Sequence, residues 1–230
     1  VHFATPEDAE RAFYHAVSQG NTDALMMIWA EDEETVCVHP TGVQLLGLGL
    51  IRHAGTYQAH TPNVTYHSEN FVRDGRRWNR HTIRTPVGEV SRLSQEGWVQ
   101  EYYVRRPEDY RVLEFMVRDT RYQPSYDTFR ALDHELGDRG VTLIGAGRSP
   151  LQTILVDYAG LERFSCDIAD ECEELCSLYH ALVEKQRELL WIIAEGPGEV
   201  VKLWENLTGE VIGAQRFAHL HLPFYEEWGR

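Results

Sequence analysis

Two polar residues that follow a predicted strand are the best candidates for chemistry in this sequence. Glu205 and Asn206 come directly after the strand pattern Glu199–Trp204, and a glycine-containing loop follows them. In βα folds, side chains at the carboxyl end of a parallel strand project into the crevice beyond the sheet. We therefore predict that this pair lines a cavity together with Trp204. The alternative is that Asn206 and Thr208 cap the next helix.

A second polar loop, Gly145–Pro150, follows the strand pattern Val141–Ile144. Ser149 and Pro150 are explained as the N-cap and first residue of a helix. Arg148 has no such explanation, and its guanidinium can hold a carboxylate through two parallel hydrogen bonds. We predict that Arg148 binds substrate.

Aromatic and imidazole side chains near the amino terminus form a third candidate group. Tyr14, Trp29 and His39 lie on the first two predicted helices and at the end of the first predicted strand. They could line a small-molecule pocket between these elements. The alternative is core packing, which is the usual role of aromatic residues at helical spacing.

Cys172, Cys176 and His180 repeat every four residues on one predicted helix. This spacing places the three side chains on one side, but the first and third lie about 12 Å apart at 1.5 Å per residue. Such a distance is too long for one zinc ion, so core packing is favoured and no metal is predicted. The sequence has no nucleotide-binding motif either.

The first 60 residues mix helix and strand signals. Thr5 is a predicted N-cap with Pro6 as the first helical residue. A second short helix, the strand Thr35–Val38 and a short helix near Leu48–His53 are predicted to follow.

The rest of the chain has two different sequence patterns. Between Val64 and Val104 the apolar residues alternate, and the Asp-Gly pair within Arg73–Arg76 predicts a hairpin. After Arg106, helical patterns alternate with short apolar strands, which is typical of βα units and a parallel sheet. The predicted class is α/β with an α+β amino-terminal part.

Composition narrows the function classes. The chain has 230 residues, 43% of them hydrophobic, and a formal charge of −14. This charge argues against nucleic-acid binding. We expect a folded cytoplasmic protein, because the sequence lacks a signal-peptide pattern and any apolar run of about 18 residues. Four cysteines are too few to indicate a disulfide framework.

The amino-terminal part resembles an NTF2-like (SnoaL-like) domain. The resemblance rests on the segment PEDAERAFYHAVSQGNTDALMMIWAEDEE and on the strand that ends in His39-Pro40. It implies helices packed on a curved sheet with a small-molecule pocket. We assign residues 1–57 to this segment, with residue 104 as an alternative boundary.

Residues 58–230 are similar to the uroporphyrinogen decarboxylase superfamily, which includes corrinoid-dependent methyltransferases. The similarity begins at about Asn63 and rests on RTPVGEV, RRPEDYRVLEFMVRDTRYQPSYDTF, GRSPLQTILVDYAGLERF and LWENLTGEVIGAQRFAHLHLPFYEE. It implies part of a (β/α)8 barrel, although too few parallel strands are readable for a closed barrel. Exposed strand edges would then require a partner, a different arrangement of the elements, or a fused or truncated product. Of these we expect a partner, in the form of a homodimer.

The same resemblance implies decarboxylation or methyl transfer on a small carboxylated or methylated molecule. Glu205 would then serve as acid, base or substrate anchor, Asn206 as an orienting hydrogen-bond partner and Arg148 as an anion clamp. A corrinoid partner is implied only by the methyltransferase relatives, and no other cofactor is evident. The alternatives are a noncatalytic NTF2-like binding protein and an inactive fused fragment.

Overall fold

A computed structural model describes residues 5–19, 21, 24, 27–28, 36–38, 44–46 and 49–229. The chain divides into two compact units. The first comprises Val1–His53 and Leu132–Thr142, and the second comprises Ala54–Ala131 and Leu143–Arg230. Helices and strands are mixed throughout, so the predicted α/β class is confirmed. The domain boundary expected after residue 57 stays a prediction.

Helix α1 of the first unit spans Pro6–Ser18. Thr5 caps it, because its Oγ1 accepts a hydrogen bond of 3.2 Å from the backbone N–H of Asp8. Ala16 is buried while Tyr14 is exposed, as expected for a one-sided helix. The predicted helix start is confirmed.

Three short antiparallel strands follow in this unit: β1 (Val36–Val38), β2 (Gln44–Leu46) and β3 (Gly49–Ala54). β3 pairs with β2, and Ile51 lies opposite Gln44. The short helix predicted near Leu48–His53 is therefore wrong. Pairing with β2 and burial of Ile51 decide this segment, and neither can be detected in a window of six residues.

The second unit contains a four-stranded antiparallel sheet of β5 (Thr65–Arg73), β6 (Arg76–Thr85), β7 (Gly88–Gln95) and β8 (Trp98–Glu101). The predicted hairpin is confirmed, with an unbroken register from Thr65↔Arg84 to Arg73↔Arg76. Asp74 and Gly75 have φ angles of 54° and 73°. Two left-handed residues in a two-residue loop match the twist of the flanking strands.

After the sheet the chain alternates between helices and short strands: α2 (Glu108–Asp119), β9 (Arg121–Pro124), α3 (Asp127–Leu136), a 3₁₀ turn (Gly137–Arg139), β10 (Gly140–Gly145), α4 (Pro150–Gln152), a π-helical segment (Thr153–Ala159), α5 (Gly160–Ala169), α6 (Glu173–Ala194), β11 (Val200–Lys202), α7 (Gly209–Ile212), α8 (Ala214–Arg216), a second π-helical segment (Phe217–His221) and α9 (Leu222–Trp228). β9 pairs antiparallel with β4 (Tyr57–His60).

Two groups of buried apolar side chains form the core of the second unit. The larger group joins the sheet to α2, the first π-helical segment and α6, and includes Ile83, Tyr110, Leu113, Ile154 and Leu178. The smaller group surrounds β10 and includes Phe129, Ile144, Leu190, Ile193 and Phe224. Burial on both sides of β10 holds the loop that follows this strand in a fixed position.

β10 and β11 are parallel, with Leu143 opposite Val200 and Gly145 opposite Lys202. This pair agrees with the parallel strands expected after Arg106. No closed barrel is found among the residues that the structure describes. The parallel pair nevertheless brings the two predicted polar loops to the same edge.

Candidate functional site

The loops after β10 and β11 are joined by backbone hydrogen bonds. Ala146 N–H donates to the carbonyl of Lys202 at 3.0 Å, and Trp204 N–H donates to the carbonyl of Gly147 at 2.8 Å. Gln186 of α6 donates its side-chain N–H to the carbonyl of Ala146 at 2.9 Å. The carboxyl ends of the two strands are therefore fixed side by side.

Arg148 connects the two loops. Its Nη1 donates to the carbonyl oxygen of Trp204 at 2.6 Å and to Oδ1 of Asn206 at 2.9 Å. Its Nε lies 3.3 Å from Oδ2 of Asp157 in the first π-helical segment. Nη2 of Arg148 has no hydrogen-bond partner within the described part of the chain. This N–H group is therefore available to a ligand.

Glu205 and Asn206 hold the second loop against the first. The carboxylate of Glu205 accepts hydrogen bonds from the backbone N–H of Ser149 at 2.7 Å and from its Oγ at 3.2 Å. The backbone N–H of Asn206 donates to Oε1 of Gln152 at 3.1 Å. In this conformation both residues make structural contacts, and their catalytic roles stay predictions.

Trp204 is 43% exposed, and Nζ of Lys202 lies 4.3 Å from the centre of its ring. Such a cation–π contact holds the indole at the surface beside the loop.

A cavity of about 600 Å³ opens beside the carboxyl end of β10. Residues from β4, β5, β9, α2, α6 and the loop after β10 line it: Tyr57, Ala59, His60, Thr61, Val64, Tyr66, Met116, Val117, Thr120, Tyr122, Ala146, Gly147, Arg148, Thr153, Tyr158, Leu182, Lys185, Gln186 and Leu189. Of the predicted site residues, Arg148 lines this cavity. Glu205, Asn206 and Trp204 are not among the lining residues.

The charged side chains that line the cavity are cationic. Arg148 and Lys185 contribute two cationic groups and His60 an imidazole, whereas no aspartate or glutamate is among the described lining residues. Each cation is paired with a carboxylate beside the wall, Arg148 with Asp157 at 3.3 Å and Lys185 with Glu188 at 2.9 Å. The place for an anionic ligand is therefore the unpaired Nη2 of Arg148, next to Lys185.

Four tyrosines give the cavity aromatic surface and phenol groups. Tyr57 and Tyr122 pack edge to face, with ring centres 5.7 Å apart. Burial, followed by the neighbouring Tyr57, raises the pKa of Tyr122 to about 12. Burial also raises the pKa of Tyr57 and of Tyr158. These phenols therefore stay protonated near neutral pH and can both donate and accept hydrogen bonds.

A buried polar cluster lies behind the loop after β10. Nδ1 of His221 is 3.4 Å from Oγ of Ser149, and both residues are 1% exposed. The imidazole stacks against the rings of Phe217 and Tyr225, with centres 6.1 and 6.0 Å away, and these two rings are themselves 6.3 Å apart. His221 Nε2 is buried and has no partner within the described residues. Burial and the nearby carboxylate of Glu205 raise the pKa of Tyr225 to about 12.

We expect acid to destabilise the fold through His221. Burial lowers the pKa of this imidazole, so the unfolded chain binds its proton more readily than the folded one. The contribution of His221 to stability is therefore complete above the ordinary histidine pKa of about 6.5 and is lost as the pH falls toward the lowered value. Urea unfolding between about pH 8 and pH 5 measures this loss, which is at most about 1.4 kcal/mol per pH unit.

The matched variants are His221→Phe, which keeps the ring stacking, and His219→Gln, which changes an exposed histidine of the same segment. We expect the first to reduce the pH dependence and the second to leave it unchanged. His81, whose pKa is also lowered by burial and by Arg92, accounts for the remainder. An undiminished pH dependence in His221→Phe would assign the titration to other groups.

The amino-terminal aromatic group is only partly described. Tyr14 lies in the first unit and is 62% exposed. Trp29 and His39 lie outside the described residues. The predicted pocket around these three residues stays a prediction.

The cysteine repeat on the long helix is not core. Cys172 is half-buried at the start of α6, whereas Cys176 and His180 are exposed. The expectation of core packing is therefore wrong for Cys176 and His180. The four-residue spacing correctly places the three side chains on one face of the helix. It does not indicate whether that face is turned toward the core or toward solvent. In the described part of the chain, no group of three or more metal-binding side chains is found.

Most lining residues of the cavity were missed in the sequence. The tyrosines come from segments that are far apart in the chain, and no local motif connects them. Lys185 is one of two lysines in the chain, but it lies in the polar run Glu184–Glu188 of α6 and therefore carried no sequence signal.

Comparison of the chain with protein-family models, curated proteins and solved structures found no match. Among the described helices, none combines the length and the apolar character needed to cross a membrane. The candidate function therefore depends on the geometry of the site.

Proposed function

We propose that the second unit binds a small carboxylated molecule with an apolar or aromatic body in the cavity beside β10. The observation that carries this proposal is the lining itself, in which the unpaired Nη2 of Arg148 is accompanied by Lys185 and by no aspartate or glutamate among the described lining residues. The cavity volume of about 600 Å³ lies within the range of small-molecule sites, about 300–1,000 Å³.

Arg148 is the proposed anchor for the carboxylate. Its Nη2 is available, while the contacts of Nε and Nη1 fix the orientation of the guanidinium. A preorganised guanidinium binds a carboxylate without first losing side-chain entropy. Lys185 and the phenols of the cavity would bind a second polar group of the ligand.

The apolar part of the wall supports a ligand with a hydrophobic body. Met116, Val117, Leu182 and Leu189 contribute aliphatic surface, and the tyrosine rings contribute flat aromatic surface. Burial of such a body supplies about 25 cal/mol per Å² of apolar area, whereas the cations select for charge. Free inorganic anions would gain little from this wall.

Decarboxylation is the reaction that we propose, and it rests on the resemblance to the uroporphyrinogen decarboxylase superfamily. The carbon–carbon bond to the carboxylate breaks, CO2 leaves, and the electron pair left on carbon takes a proton from a phenol or from water. The cationic lining favours this reaction over methyl transfer, because methyl transfer does not require a carboxylate. Glu205 remains a proposed acid or base, although a change in the loop would be needed to bring it to the cavity.

Matched ligands test the binding proposal. The full chain is titrated calorimetrically with 2-naphthoate and, separately, with 2-naphthamide, which has the same body without the charge. We expect the carboxylate to bind and to raise the melting temperature by mass action, and the amide to bind at least about 10-fold more weakly. Equal affinity for the two ligands, or binding of neither, would contradict the proposal.

A separate assay tests the reaction. The chain is incubated with 2-naphthoate and with a panel of hydroxylated aromatic carboxylic acids, and the products are analysed by mass spectrometry for loss of CO2. We expect loss of the carboxyl group from at least one of these acids. Binding of carboxylates without any such loss would leave a noncatalytic binding protein, which is the alternative function.

A further inference from the structure

Strand β5 forms an open edge of the antiparallel sheet. It is nine residues long and stands at the end of the order β5–β6–β7–β8. Among the described residues, β6 is the strand that pairs with it. Its side chains are exposed on both faces, except for the half-buried Phe71. A long row of backbone N–H and C=O groups therefore faces away from the sheet.

The opposite edge is protected and β5 is not. β8 has four residues, and its pairing with β7 is broken by a register shift between Leu93 and Ser94. Short length and irregular pairing are the devices by which natural sheets prevent edge-to-edge association. β5 contains no proline, no lysine and no irregularity in its register. Within the described residues, β5 is thus the less protected edge of this sheet.

The direction of the β6 backbone groups can be read from Arg77. Its N–H donates to Oε1 of Glu96 at 2.7 Å, and its carbonyl accepts the N–H of Glu96 at 2.9 Å. The backbone N–H and C=O of Arg77 therefore point toward β7. Because direction alternates along a strand, its neighbours Arg76 and Trp78 point toward β5.

This alternation identifies the free groups of β5. Arg73 and Phe71 lie opposite Arg76 and Trp78, so their backbone groups point toward β6. Val72 lies between these two residues and therefore directs its N–H and C=O away from β6. Asn70, two residues earlier, directs its own backbone groups the same way. Val72 is also 71% exposed.

The side chains of β5 are complementary in charge to those of a second, antiparallel copy of the same strand. Glu69, Phe71 and Arg73 share one face of β5. When a second β5 runs antiparallel with Phe71 opposite Phe71, Glu69 of each copy lies opposite Arg73 of the other. Opposite charges in such cross-strand pairs stabilise a sheet, and like charges destabilise it.

The net charge of the sheet also permits self-association. Residues 65–101 contain six arginines and five acidic residues, although the whole chain carries −14. Contact between two copies at this sheet avoids the repulsion that the acidic remainder of the chain would cause.

We propose that two copies of this chain pair through their β5 edges, antiparallel about a two-fold axis at Phe71. Val72 of each copy exchanges backbone hydrogen bonds with Asn70 of the other, and the two sheets become one sheet of eight strands. This contact goes beyond the proposed function, because its backbone hydrogen bonds are made by Asn70 and Val72, which do not line the cavity.

Removal of one outward N–H tests the pairing. Val72→Pro removes both the valine side chain and the backbone N–H, whereas Val72→Ala removes the side chain and keeps the N–H. Sedimentation of the full chain under reducing conditions is expected to show a concentration-dependent dimer for the wild type and Val72→Ala. For Val72→Pro we expect dissociation at a concentration at least about 10-fold higher. Circular dichroism checks that the variants are folded.

A charge exchange tests the register. Arg73→Glu places like charges opposite each other at both ends of the contact and is expected to weaken the dimer about 10-fold. Adding Glu69→Arg to Arg73→Glu restores both pairs and should restore the dimer. A monomeric wild type, or a dimer that tolerates both Val72→Pro and Arg73→Glu, would overturn the proposal. A dimer sensitive to Val72→Pro but not to Arg73→Glu would overturn the Phe71-centred register.

Discussion

Replacing Arg148 by methionine is expected to lower the affinity for 2-naphthoate by about 10–100-fold. The change removes a charge-assisted hydrogen bond to the carboxylate, which is worth about 1.5–3 kcal/mol. It keeps much of the side-chain length, so the apolar wall of the cavity remains covered. Affinity for 2-naphthamide should change little, because the amide does not use the charge. Calorimetric titration of both ligands measures the two effects.

Two further variants separate charge from geometry. Arg76→Met removes an exposed arginine from the start of β6 and should leave binding unchanged. Arg148→Lys keeps the charge but loses the planar fork, so we expect an intermediate affinity. Melting curves without ligand are needed as well, because Arg148 also joins the loops after β10 and β11. Full affinity in Arg148→Met would remove this residue from the site.

Replacing Asp167 by alanine is expected to lower the free energy of unfolding by about 3 kcal/mol. Asp167 is 3% exposed and accepts a hydrogen bond from the hydroxyl of Tyr110 at 2.8 Å. Arg163 forms a two-pronged ion pair with it, with Nε at 2.6 Å from Oδ2. Loss of the carboxylate leaves a fully buried hydroxyl and a partly buried guanidinium without their acceptor. Urea unfolding at constant pH measures the change.

Two control variants separate the contribution of the ion pair from the loss of a hydrogen bond or of a surface side chain. Tyr110→Phe removes only the hydroxyl and should cost about 1–2 kcal/mol. Glu162→Ala changes an exposed acidic residue on the same helix and should be nearly neutral. If Asp167→Ala were no more destabilising than Tyr110→Phe, the ion pair with Arg163 would contribute nothing to the fold.

Elements with strong local signals could be predicted from the sequence. The Asp-Gly pair at 74–75 specified the β5–β6 hairpin, since few residues adopt two successive left-handed conformations. Pro107 marked the start of α2, and the apolar run Val141–Ile144 marked β10. Each of these signals acts within a few residues and does not require knowledge of a distant partner.

Elements that depend on distant pairing could not be predicted. β9 was missed because its partner, β4, precedes it by about sixty residues, and β3 was taken for a helix because its pairing with β2 is not visible locally. For the same reason the carboxylate of Glu205 was predicted to face a cavity. Its two hydrogen bonds to Ser149 come from the neighbouring loop, 56 residues earlier.

The sequence by itself determined the α/β class, the hairpin and the presence of polar loops after two short strands. The parallel pairing of β10 with β11 then decided that these loops meet. Only the tertiary structure decided which polar residue lines the cavity, because its wall combines segments from residue 57 to residue 189. Local patterns record the conformation of the backbone, whereas a cavity and its charge depend on side chains that only folding brings together.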